Sequence, residues 1–373
     1  WSSDVCSSDL TCEWKTYVPE LLKNFLYSSG EYTSKVNVIE GPSDIPSATT
    51  PGAFLNFGGT NVYKSVQIEK LSRHFIAGDV KPGDHILFTD AWNPGVIQVK
   101  YMSELLGIKV YLHGLWHAGS YDPQDFLGRL IGNKPWVRNA EKAMWECYDH
   151  NYFASHFHHK MFCETLLGFT PAEKTYDLKN IQTGWPMGYM TKLFEPYTNT
   201  TKKNLILFPH RIAPEKQVEI FKDLKETMVE YDWQICQEQN LTKQQYHKLL
   251  AESKMVFSAN LQETLGISMM EGMLVGSWPM VPDRLSYSEM YPDKYWRIPS
   301  YIYHHDLKPN VEETETWGGN KYKFTTNSLG FRDFEIRKIS KINPQKKRIL
   351  LIGDSMTRSE EHTSELQSRP HIS

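Results

Sequence analysis

Residues 263–272 read Glu263-Thr-Leu-Gly-Ile-Ser-Met-Met-Glu271-Gly272 and place two glutamates eight positions apart. This spacing predicts a loop that carries Glu263 and Gly266, followed by an apolar helix that carries Glu271 on nearly the same face. A helix N-terminus favours anions, so the position suits a ligand with phosphates and hydroxyl groups, such as a nucleotide sugar. A solvated helix with two ordinary glutamates is the alternative, and the spacing alone does not decide between the two.

A second pattern lies upstream, in Asn204-Leu-Ile-Leu-Phe-Pro-His-Arg211-Ile-Ala-Pro-Glu-Lys216. Its apolar residues predict a buried strand, and the residues that follow predict an amphipathic helix. Arg211 and Lys216 would therefore lie at the carboxyl edge of a sheet, where open α/β sheets bind ligands. As isolated residues they are ordinary surface charges. Together with the acidic motif downstream they predict a clamp for a diphosphate, because arginine offers a planar fork and lysine a point charge.

The order of these motifs, strand-His-Arg-x4-Lys and then Glu-x7-Glu, resembles the C-terminal domain of retaining GT-B glycosyltransferases of the family-four type. The resemblance covers roughly residues 11–295 and is strongest over 203–292. It implies an α/β fold in which two Rossmann-like domains face a cleft. It also implies transfer of a sugar from a nucleotide-sugar donor, with no metal and no other cofactor.

The same resemblance implies a role for each motif residue. Arg211 and Lys216 would hold the donor diphosphate and stabilise its charge as it leaves. Glu271 would bond the ribose hydroxyls, and Glu263 would contact the transferred sugar. The backbone amides of the intervening loop would cap the phosphate and the sugar. These amides belong to Leu265, Gly266 and Ile267.

Histidine candidates follow the apolar run 108–112, in His113-Gly-Leu-Trp-His117-Ala-Gly-Ser-Tyr-Asp122. The run predicts a strand that ends at the cleft. By the resemblance, His113 is the closest match to a histidine that contacts the donor sugar, and His117 is the runner-up. Asp122 is a candidate to bind an acceptor hydroxyl. A structural histidine next to a turn is the alternative.

The predicted elements divide the chain into two domains and a connector. The N-terminal Rossmann-like domain covers 11–183, the linker 184–202 and the nucleotide-sugar-binding domain 203–295. In the first domain we predict helices at 17–27, 61–75, 95–106, 139–148 and 156–167, and strands at 35–39, 84–89 and 108–112. In the second we predict strands at 204–208, 233–236, 254–258 and 278–281, and helices at 215–229, 242–252 and 266–275.

Composition argues against other classes of protein. The net charge of −3 disfavours a protein whose main affinity is for the nucleic acid backbone. No apolar run approaches the ~18 residues that predict a transmembrane helix. The cysteines beyond residue 10 lack metal-site spacing and predict free thiols in a reducing compartment, which favours a cytoplasmic location. The histidines of 156–159 lack a carboxylate or cysteine that would complete a metal site.

The two ends of the chain are unlike the rest. Residues 358–368 and 1–10 can be encoded by opposite strands of one oligonucleotide that looks like a sequencing-library adapter. We therefore predict that 1–10 and 358–373 are adapter-derived and exclude them from the fold.

A third motif precedes the second end. The stretch 322–333, Tyr-Lys-Phe-Thr-Thr-Asn-Ser-Leu-Gly-Phe-Arg-Asp, followed by 348–357, Arg-Ile-Leu-Leu-Ile-Gly-Asp-Ser-Met-Thr, resembles the opening of SGNH/GDSL hydrolases. In this resemblance Ser355 matches the nucleophile. The resemblance covers about 300–357. It implies that 296–357 is a truncated piece of such an enzyme, joined by a real fusion or by misassembly of metagenomic sequence. A serine without its base is not activated, so the piece would be inert.

Three functions remain open from the sequence. The leading one is a glycosyltransferase, whose acceptor is unknown and could be a glycan, lipid, protein or nucleic acid. The second is a catalytically dead fragment that binds carbohydrate or nucleotide. The third is an SGNH-type esterase, which would require a complete C-terminal segment.

Overall fold

The structure is a computed structural model that describes residues 13–30, 35–45, 56–171 and 178–291. It also describes the short segments 297–298, 312–317 and 320–325. The adapter-like ends 1–10 and 358–373 and the hydrolase-like Ser355 lie outside the described residues.

The first domain contains a parallel sheet of four strands with helices in the connections. Its strands, in spatial order, are β1 (His85–Phe88), β2 (Tyr111–Trp116), β3 (His150–Phe153) and β4 (Asn180–Gln182). Its helices are α1 (Glu13–Ser28), α2 (Phe57–Ala77), α3 (Gly95–Leu106), α4 (Phe126–Ile131), α5 (Pro135–Cys147) and α6 (His156–Phe162), which continues as a π-helical turn, Cys163–Leu167.

Both faces of this sheet are covered by helices. Leu112 and Trp116 of β2 are fully buried in a core that also contains residues of α2, α3 and α5. On the opposite face, Leu115 packs with Val18 of α1. Such two-sided burial is typical of parallel sheets.

The second domain contains a parallel sheet of five strands in the order β6-β5-β7-β8-β9. These strands are β5 (Leu205–Phe208), β6 (Asp232–Ile235), β7 (Met255–Phe257), β8 (Trp278–Pro282) and β9 (Arg297–Ile298). The helices are α7 (Tyr189–Phe194), α8 (Val218–Thr227), α9 (Lys243–Glu252), α10 (Ile267–Leu274) and α11 (Tyr287–Met290). A separate antiparallel hairpin joins β10 (Glu312–Trp317) to β11 (Asn320–Thr325).

The predicted α/β class with two Rossmann-like domains is confirmed, since every neighbouring strand pair in both sheets is parallel. The helix predicted at 95–106 has those bounds in the structure, and the strands predicted in the second domain match within two residues. The division at 183 and 202 stays a prediction. Residues 189–194 of the predicted linker form α7, and Met190 and Phe194 pack into the core of the second domain.

The strand predicted at 35–39 is wrong, because residues 35–45 form no strand. Side chains of α2 instead hydrogen-bond to this segment. Gln67 Nε2 donates to the Ile39 carbonyl at 2.9 Å, and Lys70 Nζ donates to the Glu40 carbonyl at 2.8 Å. These carbonyls are thus satisfied without a strand partner.

The strand predicted at 108–112 is also wrong in its bounds. Gly107 ends α3 with a φ of 67°, and the Ile108 amide donates to the Ser103 carbonyl at 3.0 Å. The first residue of the apolar run, Ile108, belongs to this capping turn. The strand therefore begins only at Tyr111 and extends to Trp116. His113 therefore lies inside the strand, and His117 is the first residue beyond its end.

The two domains contact each other at the N-terminus of α6. Ser155 Oγ donates to the carbonyl of Thr264 in the second domain at 2.7 Å. The Glu289 carboxylate of α11 accepts from the amides of His156 and Phe157 at 2.9 and 2.8 Å. A carboxylate at a helix N-terminus satisfies amides that have no partner within the helix.

Among the described residues, no helix combines the length and the apolar composition needed to cross a membrane. Cys147, Cys163 and Cys236 are free thiols, of which Cys147 is half-buried and the other two are buried. Cys12 lies outside the described residues.

Candidate functional site

Arg211 lies just beyond the carboxyl end of β5, as predicted. The four residues of β5 are all buried, and Arg211 follows them by three positions. Its guanidinium forms an ion pair with Glu215, whose side chain is fully buried. The second oxygen of Glu215 lies 2.7 Å from Arg129 Nη2, on α4 of the first domain.

Lys216 is buried at the same sheet edge. Its Nζ donates to the Gln262 carbonyl at 2.9 Å and lies 3.4 Å from Oε2 of Glu263. The sequence separates Lys216 from Glu263 by 47 positions, and the fold brings them into contact. A buried ammonium is unfavourable unless it is paired and hydrogen-bonded, and both conditions are met here.

Glu263 is held by the loop that carries it. Asn260 Nδ2 donates to Oε2 at 3.2 Å, and the Thr264 amide donates to Oε1 at 3.2 Å. Gly266 then begins α10 with a φ of 74°, in the left-handed region that favours glycine. A Cβ at this position would lie 2.6 Å from the Tyr287 ring. Neighbouring Leu265 and Ile267 have buried side chains.

Glu271 lies on α10 and is also buried. Its Oε2 accepts from Tyr246 Oη at 2.8 Å. Both glutamates of the 263–272 motif are therefore fixed by hydrogen bonds within the second domain. The alternative of a solvated helix with two ordinary glutamates is excluded by their burial.

Two buried acids of the first domain, Asp122 and Asp125, interact electrostatically with the cations of the second. Burial raises the pKa of Asp122, which hydrogen bonds from backbone amides and, to a smaller extent, the charge of Lys216 oppose. Burial raises the pKa of Asp125 to about 7, which a hydrogen bond from the Leu127 amide and, to a smaller extent, the charge of Arg211 oppose. The site thus combines charged groups from both domains.

His113 does not lie at the end of its strand, and this prediction is wrong. It sits in the middle of β2, because the strand extends to Trp116. Its Nε2 is 2.8 Å from His85 Nδ1, its Nδ1 is 2.9 Å from Tyr152 Oη, and its ring stacks on His150. Burial and these two histidines lower the pKa of His113 to about 4.

The residue that follows the end of β2 is His117. Its Nε2 lies 2.6 Å from the Thr89 carbonyl, which itself follows β1. Its ring meets the Trp185 ring edge-to-face at 4.4 Å between centroids. Burial lowers the pKa of His117, so the ring is neutral near pH 7. The strand-end position that the sequence assigned to His113 belongs to His117.

No protein-family model matches the chain. No curated protein matches it by sequence. Solved structures are similar to it at low identity. A UDP-forming α,α-trehalose-phosphate synthase from Burkholderia xenovorans has 13% identity and a TM-score of 0.46, over 66% of this chain and 68% of that chain.

Two further similar structures give the same picture. An α,α-trehalose-phosphate synthase from Burkholderia vietnamiensis has 12% identity and a TM-score of 0.44, over 66% of both chains. A structure described as trehalose-6-phosphate from E. coli bound with UDP-2-fluoro glucose has 10% identity and a TM-score of 0.47, over 79% of this chain and 74% of that chain. At these identities and TM-scores the likeness supports no statement about substrate or reaction.

Three residues near Arg211 and Lys216 have no role in the sequence-based prediction. Arg129 and Asp125 come from α4 and its cap, and nothing in the pattern around them indicates a partner in the other domain. His210 precedes Arg211 and is buried, with Nδ1 3.5 Å from Ser268 Oγ of α10. Burial holds the pKa of His210 well below its usual value. The position of His210 just after the buried strand β5 is the one feature of the sequence that indicates a place at this sheet edge.

In the part of the chain that the structure describes, no group of three His, Cys, Asp or Glu side chains could hold a metal ion. The histidines at 156–159 are used otherwise. His158 is buried with Nε2 2.7 Å from Tyr121 Oη, and His159 stacks on Phe153.

Proposed function

We propose that this chain transfers a sugar from a nucleotide-sugar donor to an acceptor with retention of the anomeric configuration. One observation carries the proposal. Arg211 and Lys216 follow a buried strand of the second sheet, and Lys216 contacts the Glu263 loop that leads into α10. Two cations at the carboxyl edge of a parallel sheet, beside a helix N-terminus, are suited to a ligand with phosphates.

In this proposal the cations act on the leaving diphosphate. Arg211 and Lys216 would stabilise the negative charge that develops there, together with the amides of Leu265, Gly266 and Ile267. Ion pairs with Glu215 and Glu263 hold these two cations at the edge of the sheet before a ligand binds. The acceptor hydroxyl would attack from the face that the leaving group occupies and pass its proton toward the departing phosphate.

The acidic residues would bind the rest of the donor. Glu271 would accept from ribose hydroxyls, and Glu263 would accept from hydroxyls of the transferred sugar. Tyr246 and Asn260 already orient these carboxylates through hydrogen bonds. The finer assignment to the family-four type rests on the order and spacing of the two motifs and is part of the same proposal.

In the first domain, His117 is better placed than His113 to contact the donor sugar. His117 follows the end of β2, whereas His113 is stacked between histidines of neighbouring strands. With Nε2–H donating to the Thr89 carbonyl, the Nδ1 of His117 is an acceptor suited to a sugar hydroxyl.

For residues 296–357 the resemblance to SGNH hydrolases also stays a proposal. Ser355 lies outside the described residues. Within this range the structure describes β9, which pairs with β8 of the second domain, and the antiparallel hairpin β10–β11, whose residues 322–325 begin the stretch that carries the resemblance.

A transfer assay tests the proposal. Nucleotide sugars with different bases and sugars are incubated with the chain, and release of the nucleoside diphosphate is measured with and without acceptor mixtures. We expect release with at least one donor and its loss in Arg211→Ala. The control is Arg138→Ala, because the Arg138 Nε donates to the Gly132 carbonyl within the first domain.

Two results separate the alternatives. Binding of nucleoside diphosphates without any release from the sugar nucleotides would favour the binding fragment over the enzyme. If the chain neither binds nor cleaves any of the donors, the proposed function is contradicted.

A further inference from the structure

Glu215 connects the two domains through a pair of arginines. Its side chain is fully buried in the turn Pro214–Lys216. Arg211 of the same domain donates to Oε1, and Arg129 of the first domain lies 2.7 Å from Oε2. Each oxygen of this carboxylate therefore faces a guanidinium, and the two guanidinium groups come from different domains.

The ion pair between Arg211 and Glu215 competes with the role of Arg211 on a diphosphate. A diphosphate that binds the Nη2 amino group of Arg211 takes this group from Glu215, and a buried carboxylate without a partner is strongly unfavourable. Glu215 is also held in place, since its backbone carbonyl accepts from the Leu261 amide at 2.8 Å. Arg129 lies beside the other oxygen of Glu215, so it would remain a charged partner when Nη2 of Arg211 turns to the diphosphate.

We propose that Arg129 is a positioning residue that sets how readily Glu215 releases Arg211 to the donor diphosphate. The inference rests on the proposed donor site. Glu215 and the diphosphate compete for one guanidinium, and Arg129 weakens the hold of Glu215 by sharing its charge. Arg129 itself contacts neither donor nor acceptor in this scheme.

The consequence is a coupling between donor binding and the contact of the two domains. When the diphosphate takes Arg211, Glu215 is left with Arg129 as its charged partner, so the contact between the domains strengthens. When the domains separate, Arg129 leaves Glu215 and the carboxylate holds Arg211 more tightly. Reciprocity between two such equilibria follows from linkage.

A double-mutant cycle tests this coupling. Isothermal titration calorimetry with UDP, ADP and GDP gives the dissociation constant of the wild type and of Arg129→Gln, Glu215→Gln and the double variant. We expect Arg129→Gln to weaken binding by at least about tenfold, which corresponds to about 1.4 kcal/mol. The double variant should bind within about threefold of Glu215→Gln, because a neutral side chain at 215 no longer retains Arg211.

Controls distinguish the outcomes. Arg138→Gln, in the first domain, should bind like the wild type. Unchanged binding in Arg129→Gln overturns the inference, and so does weak binding that persists in the double variant, since Arg129 would then contact the ligand directly. If Arg129→Gln does not fold, the Glu215→Gln variant tests the inference by itself. We expect this variant to bind the nucleoside diphosphate more tightly than the wild type, and weaker binding would contradict the inference. A wild type that binds no probe removes the proposed function and the inference with it.

Discussion

Lys216 and Glu263 form a buried pair whose two members depend on each other. Lys216→Ala leaves Glu263 without its cation, and loss of one partner of a buried ion pair costs about 3–5 kcal/mol. We expect the free energy of unfolding, measured in urea, to fall by that amount. Part of the loss should return in Lys216→Ala/Glu263→Gln, because the amide carries no charge.

The control for this pair is Lys222→Ala. Lys222 lies 3.8 Å from Glu238 with both side chains about half exposed, so its loss should change stability by no more than about 0.5 kcal/mol. A Lys216→Ala variant as stable as this control would show that the buried pair contributes nothing.

Asp125 makes the stability of the protein depend on pH. Burial raises its pKa from the ordinary value of 3.8 to about 7, so the folded state binds a proton more strongly than the unfolded state. The stability from this group is complete below pH 4 and is lost as the pH rises through 7. Asp125→Asn should keep the cap of α4 on the Leu127 amide and remove the charge.

We therefore expect Asp125→Asn and the wild type to have similar free energies of unfolding near pH 4. At pH 8 the variant should be more stable, by an amount on the order of a few kcal/mol. Urea titrations at both pH values measure this difference. An unchanged difference between the two pH values would contradict the burial of an ionisable Asp125.

Among individual residues, the sequence predicts that Arg211, Lys216 and Glu263 lie close together, but not which residues contact them. The strand before Arg211 and Lys216 predicts their place at the sheet edge, and the order of the two motifs joins them to Glu263. The predicted place of His113 at the strand end is wrong, because Gly107 and Ile108 form the capping turn of α3 and the strand therefore begins later. Asp125 and Arg129 depend on how the domains pack, which no local pattern records.

At the scale of elements, the start of α10 depends on Gly266. Alanine there would adopt a left-handed φ, and its Cβ would also lie 2.6 Å from the Tyr287 ring. Gly276 is a matched control, because its φ is 75° and an added Cβ would lie 3.7 Å from Lys202 Cε, which is ordinary van der Waals contact. Left-handed strain costs of order 1–3 kcal/mol in both variants, and Gly266→Ala adds the clash.

We expect Gly266→Ala to be less stable than Gly276→Ala in chemical denaturation. It should also lose affinity for nucleoside diphosphates, since α10 begins at the proposed phosphate position. Equal stability and equal affinity in the two variants would contradict this account of the helix start.

The sequence predicts helices and strands correctly where the apolar pattern extends over the whole element and the residues that end it are adjacent in the chain. The helix at 95–106 is bounded by Pro94 and Gly107, and the strands of the second domain are continuous apolar runs between turns. The segment at 35–39 looked like a strand because of its valines. Hydrogen bonds from α2 to its carbonyls hold it as a loop instead.

At the scale of the whole molecule, Glu289 links the domains through the amides at the start of α6. Glu289→Ala should increase hydrogen exchange at the His156 and Phe157 amides by about tenfold or more, because these donors lose their acceptor. Glu164→Ala is the control, since Glu164 is partly exposed and contacts Lys160 and Thr170 within the first domain. Equal exchange in the two variants would show that the contact contributes no protection.

In the proposed function, Arg211 and Lys216 bind the diphosphate of a nucleotide-sugar donor at the start of α10. A crystal structure of the chain with a nucleoside diphosphate would show whether they do. We expect phosphate oxygens within hydrogen-bond distance of both cations, with Arg211 turned away from Glu215 and Arg129 still beside Glu215. A diphosphate bound elsewhere, with Arg211 on Glu215 and Lys216 on Glu263, would contradict the proposed function.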